Sequence, residues 1–179
     1  ITIAAGMAGF ALLALAILFE LGLDPFSDQS TFALMILGFI TLAKAIWWDS
    51  QNPLRITRHA DVAFWLHILS ALLIVHPLFS MVGTYETKTG ISMVFVIYVV
   101  LTLVSIILDR RALMVAALGY ALYAASTVFM NAGNDDLAYA LAAVTIGGGL
   151  LMLSALWSTV RGQILRILPR MMLDKLPPA

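Results

Sequence analysis

The chain has 179 residues, 62% hydrophobic and 11% charged, with ten basic and ten acidic side chains and no formal net charge. A soluble domain is nearer about half apolar and about a quarter charged, and one of this length could not keep so much apolar surface from water. The even charge balance offers no field to draw nucleic acid, and a chain without cysteine forms no disulfide, thiolate metal site or cysteine nucleophile.

A bilayer core about 30 Å thick takes roughly 20 mostly apolar residues per helix. Six stretches meet that length, over about 1–23, 31–48, 62–83, 91–108, 112–130 and 137–160. The expectation is an all-α integral membrane bundle: a six-helix transmembrane domain over 1–160 and a basic amphipathic tail over 161–179. The first stretch lacks the basic start and small-residue cleavage pattern of a signal peptide. The chain opens on Ile1 rather than Met, which predicts a fragment, a processed product or part of a longer protein.

The connections are short and polar. Asp24-Pro25-Phe26-Ser27-Asp28 reads as a turn, Asn52-Pro53 opens the longest internal loop, and 84–89 is polar. Asp109-Arg110-Arg111 is tight enough to make the fourth and fifth helices antiparallel neighbours. Residues 131–136 form the last turn.

Orientation follows from Lys and Arg in short loops. Arg55, Arg58, Arg110, Arg111, Arg161, Arg166, Arg170 and Lys175 fall on one side, against Lys88 on the other. Six spans with both termini cytoplasmic satisfy this alternation, and one span more or fewer would break it. Trp47, Trp48, Trp65 and Trp157 gather near the basic side, where an aromatic belt is expected.

Helix association in lipid relies on close backbone approach. Ala117, Ala121 and Ala125 recur every fourth residue, and Gly147, Gly148 and Gly149 form a triplet one helix later. The two stretches are expected to form a packing seam. The alternative for the triplet is an unwound point lining a cavity, as in broken transporter helices.

Ionisable groups at membrane depth are costly, so each is a site candidate. Glu20 and Lys44 lie near helix ends, within snorkelling reach. His67 and His76 share the third helix. Nine residues at about 100° each put them on opposite faces, so they cannot ligate one metal or haem together. The expectation is a neutral imidazole hydrogen-bonded across helices, with Thr41, Thr102, Ser105, Tyr120, Tyr123, Ser126 and Thr145 as candidate partners. A proton relay is the alternative, since histidine titrates near neutral pH. Pro77 frees the Leu73 carbonyl one turn earlier, adding an acceptor to satisfy. In the loop before this helix, Arg58 and Asp61 stand three residues apart and can pair. They read as a cap and interfacial anchor, or as a site for lipid headgroups or a partner protein. The tail alternates basic residues with Ile164, Leu165, Ile167, Leu168, Met171 and Met172. It could lie on anionic headgroups, or extend into the cytoplasm and pack on a partner.

The run Asp49, Asn52-Pro53, Arg55, Thr57-Arg58, Asp61-Val62-Ala63-Phe64-Trp65-Leu66-His67 and Ile74-Val75-His76-Pro77, with Asp109-Arg110-Arg111-Ala112-Leu113 and Leu176-Pro177-Pro178, resembles an uncharacterised family of proteobacterial polytopic inner-membrane proteins. The resemblance covers the second half of the second helix through the C-terminus. It implies a bacterial inner membrane and further sequence before the first helix, and it supplies no activity or catalytic residue. With no nucleophile–base set, paired carboxylates or metal spacing, the reading leans away from an enzyme and expects no cofactor. It favours an accessory or structural membrane subunit in contact with lipid and other membrane subunits. A small-solute or proton-linked channel or transporter using His67 and His76 is the alternative.

Overall fold

A computed structural model describes residues 30–51, 58–82, 87–133 and 137–169, with the backbone of 28–29 and a few isolated positions besides. Six helices make up its described elements: α1 (Asp28–Ser50), α2 (Arg58–Ser80), α3 (Lys88–Leu108), α4 (Ala112–Asn131), α5 (Ala138–Ala155) and α6 (Trp157–Ile167). No strand is found among the described residues. Most of the expected first span, 1–23, lies outside them; of it Leu13, Ala16, Ile17 and Glu20 are helical. Five of the helices, α1 to α5, are long and apolar enough to cross a membrane. Large side chains such as Ile36, Val96, Val144 and Leu151 point outward from them. In water each would be unfavourable, at about 25 cal/mol per Å² of apolar surface left exposed; in a bilayer they are matched by the solvent. The chain is a multi-helix membrane protein.

The chain divides after Leu78 into two compact units. In the first, α1 and α2 form an antiparallel hairpin. Gly38, Thr41, Ala45 and Asp49 make one buried stripe on α1, and Ala63, His67, Ser70, Ala71 and Ile74 another on α2. Both follow the spacing of a single helix face. The helices close at Gly38, where a Cβ would stand 2.7 Å from Ile74 Cγ1 and 3.0 Å from the Leu73 carbonyl carbon. A glycine there lets backbone meet backbone, the contact on which helix association in lipid depends. At the other end of the hairpin the Trp48 and His59 rings meet edge to face at 5.0 Å.

The second unit begins with the last turn of α2, whose Phe79 stacks on Tyr120 of α4 with 4.3 Å between centroids. The turn 109–111 makes α3 and α4 packed neighbours, as its shortness predicts. Asp109 takes a left-handed conformation, φ 53, to end α3, a geometry aspartate tolerates better than most residues. The Arg110 N–H returns to the Ser105 carbonyl at 2.9 Å. The Ser105 hydroxyl in turn accepts the Met114 N–H at 3.1 Å. It thereby satisfies one of the donors that the start of a helix leaves unpaired. One buried serine thus serves both sides of the turn.

Ala117, Ala121, Ala124 and Ala125 are buried on α4, which packs against both α3 and α5. The glycine triplet does not complete the expected seam. A Cβ on Gly147, Gly148 or Gly149 meets nothing within 4 Å, and the buried positions of α5 are Ala138 and Ala142 instead. The small residues that pack are thus roughly one and a half to two and a half turns earlier than the triplet. The expected sixth span also ends sooner: α5 stops at Ala155, Leu156 forms a turn, and α6 starts at Trp157.

Candidate functional site: polar ties at the helix ends

Each unit has a polar cluster where a helix runs out into a basic connection. In the first unit it joins the last turn of α1 to the third turn of α2. His67 Nε2 lies 2.9 Å from Asp49 Oδ2, and both side chains are nearly inaccessible, 2% and 8% exposed. A carboxylate only accepts, so the imidazole presents Nε2–H to it. The partner of His67 is therefore a carboxylate, not one of the hydroxyls expected from the sequence. The Ser70 hydroxyl donates to the His67 backbone carbonyl at 2.9 Å, within its own helix. It is committed there and does not form a nucleophile–base pair with the imidazole.

His76 lies on the other face of α2 and is exposed, so the two histidines are not both interior residues. The half-turn offset between them is the one their spacing predicts. His59 meets Trp48 rather than His67. Arg58 and Asp61 are both exposed in the first turn of α2, and no ion pair joins them among the described residues. Asp61 keeps the favourable position of an acid at a helix N-terminus. Lys44 is exposed with its ammonium 5.5 Å from the Trp47 ring, an arrangement suited to a snorkelling lysine.

In the second unit the cluster forms around the end of α3. Asp109 accepts the Trp157 Nε1–H at 2.9 Å. Arg161, only 3% exposed, donates through Nε to the Ile106 carbonyl at 3.2 Å and stands 3.9 Å from the Asp109 carboxylate. A cation at a helix C-terminus meets unpaired carbonyls and the negative end of the macrodipole. Arg161 does both here, with Asp109 as counter-ion. Arg111 covers the outer face of Trp157, 4.7 Å from the ring centroid. Its guanidinium is also 3.4 Å from the Ser154 hydroxyl.

The described part of α6 packs back on α3, with Arg161 and Leu165 buried. Its remaining basic side chain, Arg166, is exposed, while Arg170 and Lys175 lie outside the described residues.

Asp49, Gly38 and the Asp109–Trp157–Arg161 set were not singled out as sites from the sequence. Asp49 and Gly38 carried a signal: one acid and one glycine on the same face of α1, at three- and four-residue steps from Thr41 and Ala45. The chemistry the clusters can support is anchoring. Each places a donor against an acceptor across two helices. No group of three or more His, Asp or Glu close enough to hold a metal occurs among the described residues. Comparison with protein-family profiles, curated proteins and solved structures finds no match to this chain.

Proposed function

We propose that this chain is an accessory or structural subunit of a bacterial inner membrane, with six spans and both termini in the cytoplasm. The supporting observation is where its buried polar groups go: His67 to Asp49, Trp157 and Arg161 to Asp109 and the end of α3. Side chains committed to tying helices together stabilise a scaffold and leave little for turnover. A relay through His67 and His76 has no such support, because the two lie on opposite faces of α2. The exposed apolar faces serve lipid and neighbouring subunits, and the basic residues from Arg166 onward meet anionic headgroups.

The test is purification of the tagged chain from its own membrane in a mild detergent, followed by intact-complex mass measurement. Stoichiometric membrane partners are the expected result. A lone chain that conducts protons or small solutes in liposomes would overturn the reading in favour of transport. Topology is checked with single cysteines at two exposed turn positions, Gln51 and Ala132. An impermeant thiol reagent added to the outer face should modify Ala132→Cys and spare Gln51→Cys.

A further inference from the structure

Three spans end together at the Asp109–Arg111 turn. The turn closes α3 and opens α4, and the end of α5 reaches it through Ser154, whose hydroxyl lies 3.4 Å from the Arg111 guanidinium. With 21 residues, α3 is about 32 Å long at 1.5 Å per residue. Its ends therefore lie at the two faces of a hydrocarbon layer about 30 Å thick, at the level of the headgroups. The charge at this end is one-sided. Over residues 87–133 and 137–169 Asp109 is the only acid, while Arg110 and Arg111 share its turn. Asp109 is already committed: it accepts the Trp157 Nε1–H at 2.9 Å and stands 3.9 Å from Arg161.

Arg111 is exposed, and no carboxylate pairs with it among the described residues. Its guanidinium lies over the Trp157 ring, 4.7 Å from the centroid, with Ser154 as its polar neighbour. Neither neutralises its charge. A guanidinium carries five N–H donors in a planar fork, and one long bond to Ser154 leaves most of that fork open. Helix stability does not explain the position. Arg111 is the N-cap residue of α4 and makes no capping hydrogen bond, and a cation there opposes the helix dipole. The stacking does fix the plane of the fork, because Trp157 is itself held by Asp109.

We propose that Arg111 binds the phosphate of an anionic phospholipid at this turn. Arginine and phosphate match in a bidentate, charge-assisted pair. The local excess of arginine favours a headgroup without a cation of its own over phosphatidylcholine. The acyl chains have a track into the bilayer: Val115, one turn deeper than Arg111 on α4, and Leu151, about one turn deeper than Ser154 on α5, are apolar and exposed. A free phosphate would gain nothing from that track. The site stands apart from the basic tail and does not depend on the chain being an accessory subunit.

The test is native mass spectrometry of the full chain, delipidated in detergent and titrated with dioleoylphosphatidylglycerol or dioleoylphosphatidylcholine. The first phosphatidylglycerol should bind about tenfold more tightly than phosphatidylcholine. Arg111→Gln should weaken phosphatidylglycerol about tenfold, the loss of charge-assisted hydrogen bonds, at an unchanged thermal unfolding temperature. Arg111→Lys keeps the charge without the fork and should recover only part of the affinity. Arg58→Gln removes an exposed arginine of the first unit and should have no effect. Equal affinity of the wild-type chain for the two lipids would overturn the proposal. An Arg58→Gln loss as large as that of Arg111→Gln would show diffuse charge attraction and overturn it too. Displacement of the lipid by equimolar glycerol phosphate would place a free phosphate at the site and overturn it as well.

Discussion

Asp49→Ala isolates the energetics of the hairpin. The substitution removes the acceptor 2.9 Å from His67 Nε2 and leaves an imidazole that is 2% exposed with no partner for that N–H. A buried donor stripped of its acceptor costs about 1–3 kcal/mol. The interhelical bond itself contributes less, about 0.6 kcal/mol on average and up to about 1.7 in membrane helices. The two quantities separate in a double-mutant cycle. Asp49→Ala should destabilise by about 1–3 kcal/mol, and His67→Ala by more, since it also empties a packed volume. The double variant should recover a coupling energy of about 0.6–2 kcal/mol. Asp49→Asn should be mild, because the amide oxygen still accepts. Asp61→Ala is the exposed-acid control and should stay within about 0.5 kcal/mol of wild type. The assay is reversible unfolding in mixed micelles, read by far-UV circular dichroism. A coupling energy indistinguishable from zero, or an Asp61→Ala loss equal to that of Asp49→Ala, would refute the inference that this pair ties α1 to α2.

Three further outcomes follow from the packing. Gly38→Ala should cost about 1–3 kcal/mol by overpacking against Ile74 and the Leu73 backbone, whereas Gly148→Ala, facing open space, should be neutral or stabilising by up to about 1 kcal/mol; equal effects in thermal unfolding would remove the close approach. Ala121→Leu, at a position with 0% exposure, should destabilise more than Leu122→Ala, which is only partly buried; an unfolding temperature of wild-type value for Ala121→Leu would argue against a tight α4 face. Arg161→Ala should release α6 while sparing the spans, seen as faster amide exchange over Trp157–Ile167 and a shift of Trp157 fluorescence; unchanged exchange there would mean that the Ile106 and Asp109 contacts do not hold the helix.

The sequence by itself determined the class and the element pattern. Apolar runs of span length and short polar turns are local properties, and lipid as solvent makes them decisive because each backbone group must be satisfied within its own helix. The half-turn between His67 and His76 was legible for the same reason, since helical angle is arithmetic on residue number. The Asp109-Arg110-Arg111 turn was legible too, because three residues leave α3 and α4 no room to diverge. What partnered with what was decided only in three dimensions. Asp49 and His67 are eighteen residues apart, and Asp109 and Arg161 are fifty-two apart. Whether such groups meet depends on rotation and register between helices, which composition does not encode. The glycines make the same point. Gly147 to Gly149 form the conspicuous signal in the sequence and face open space, while solitary Gly38 takes the close contact. A small residue permits close approach from either side of a helix, and only the packing of the neighbour selects which one is used.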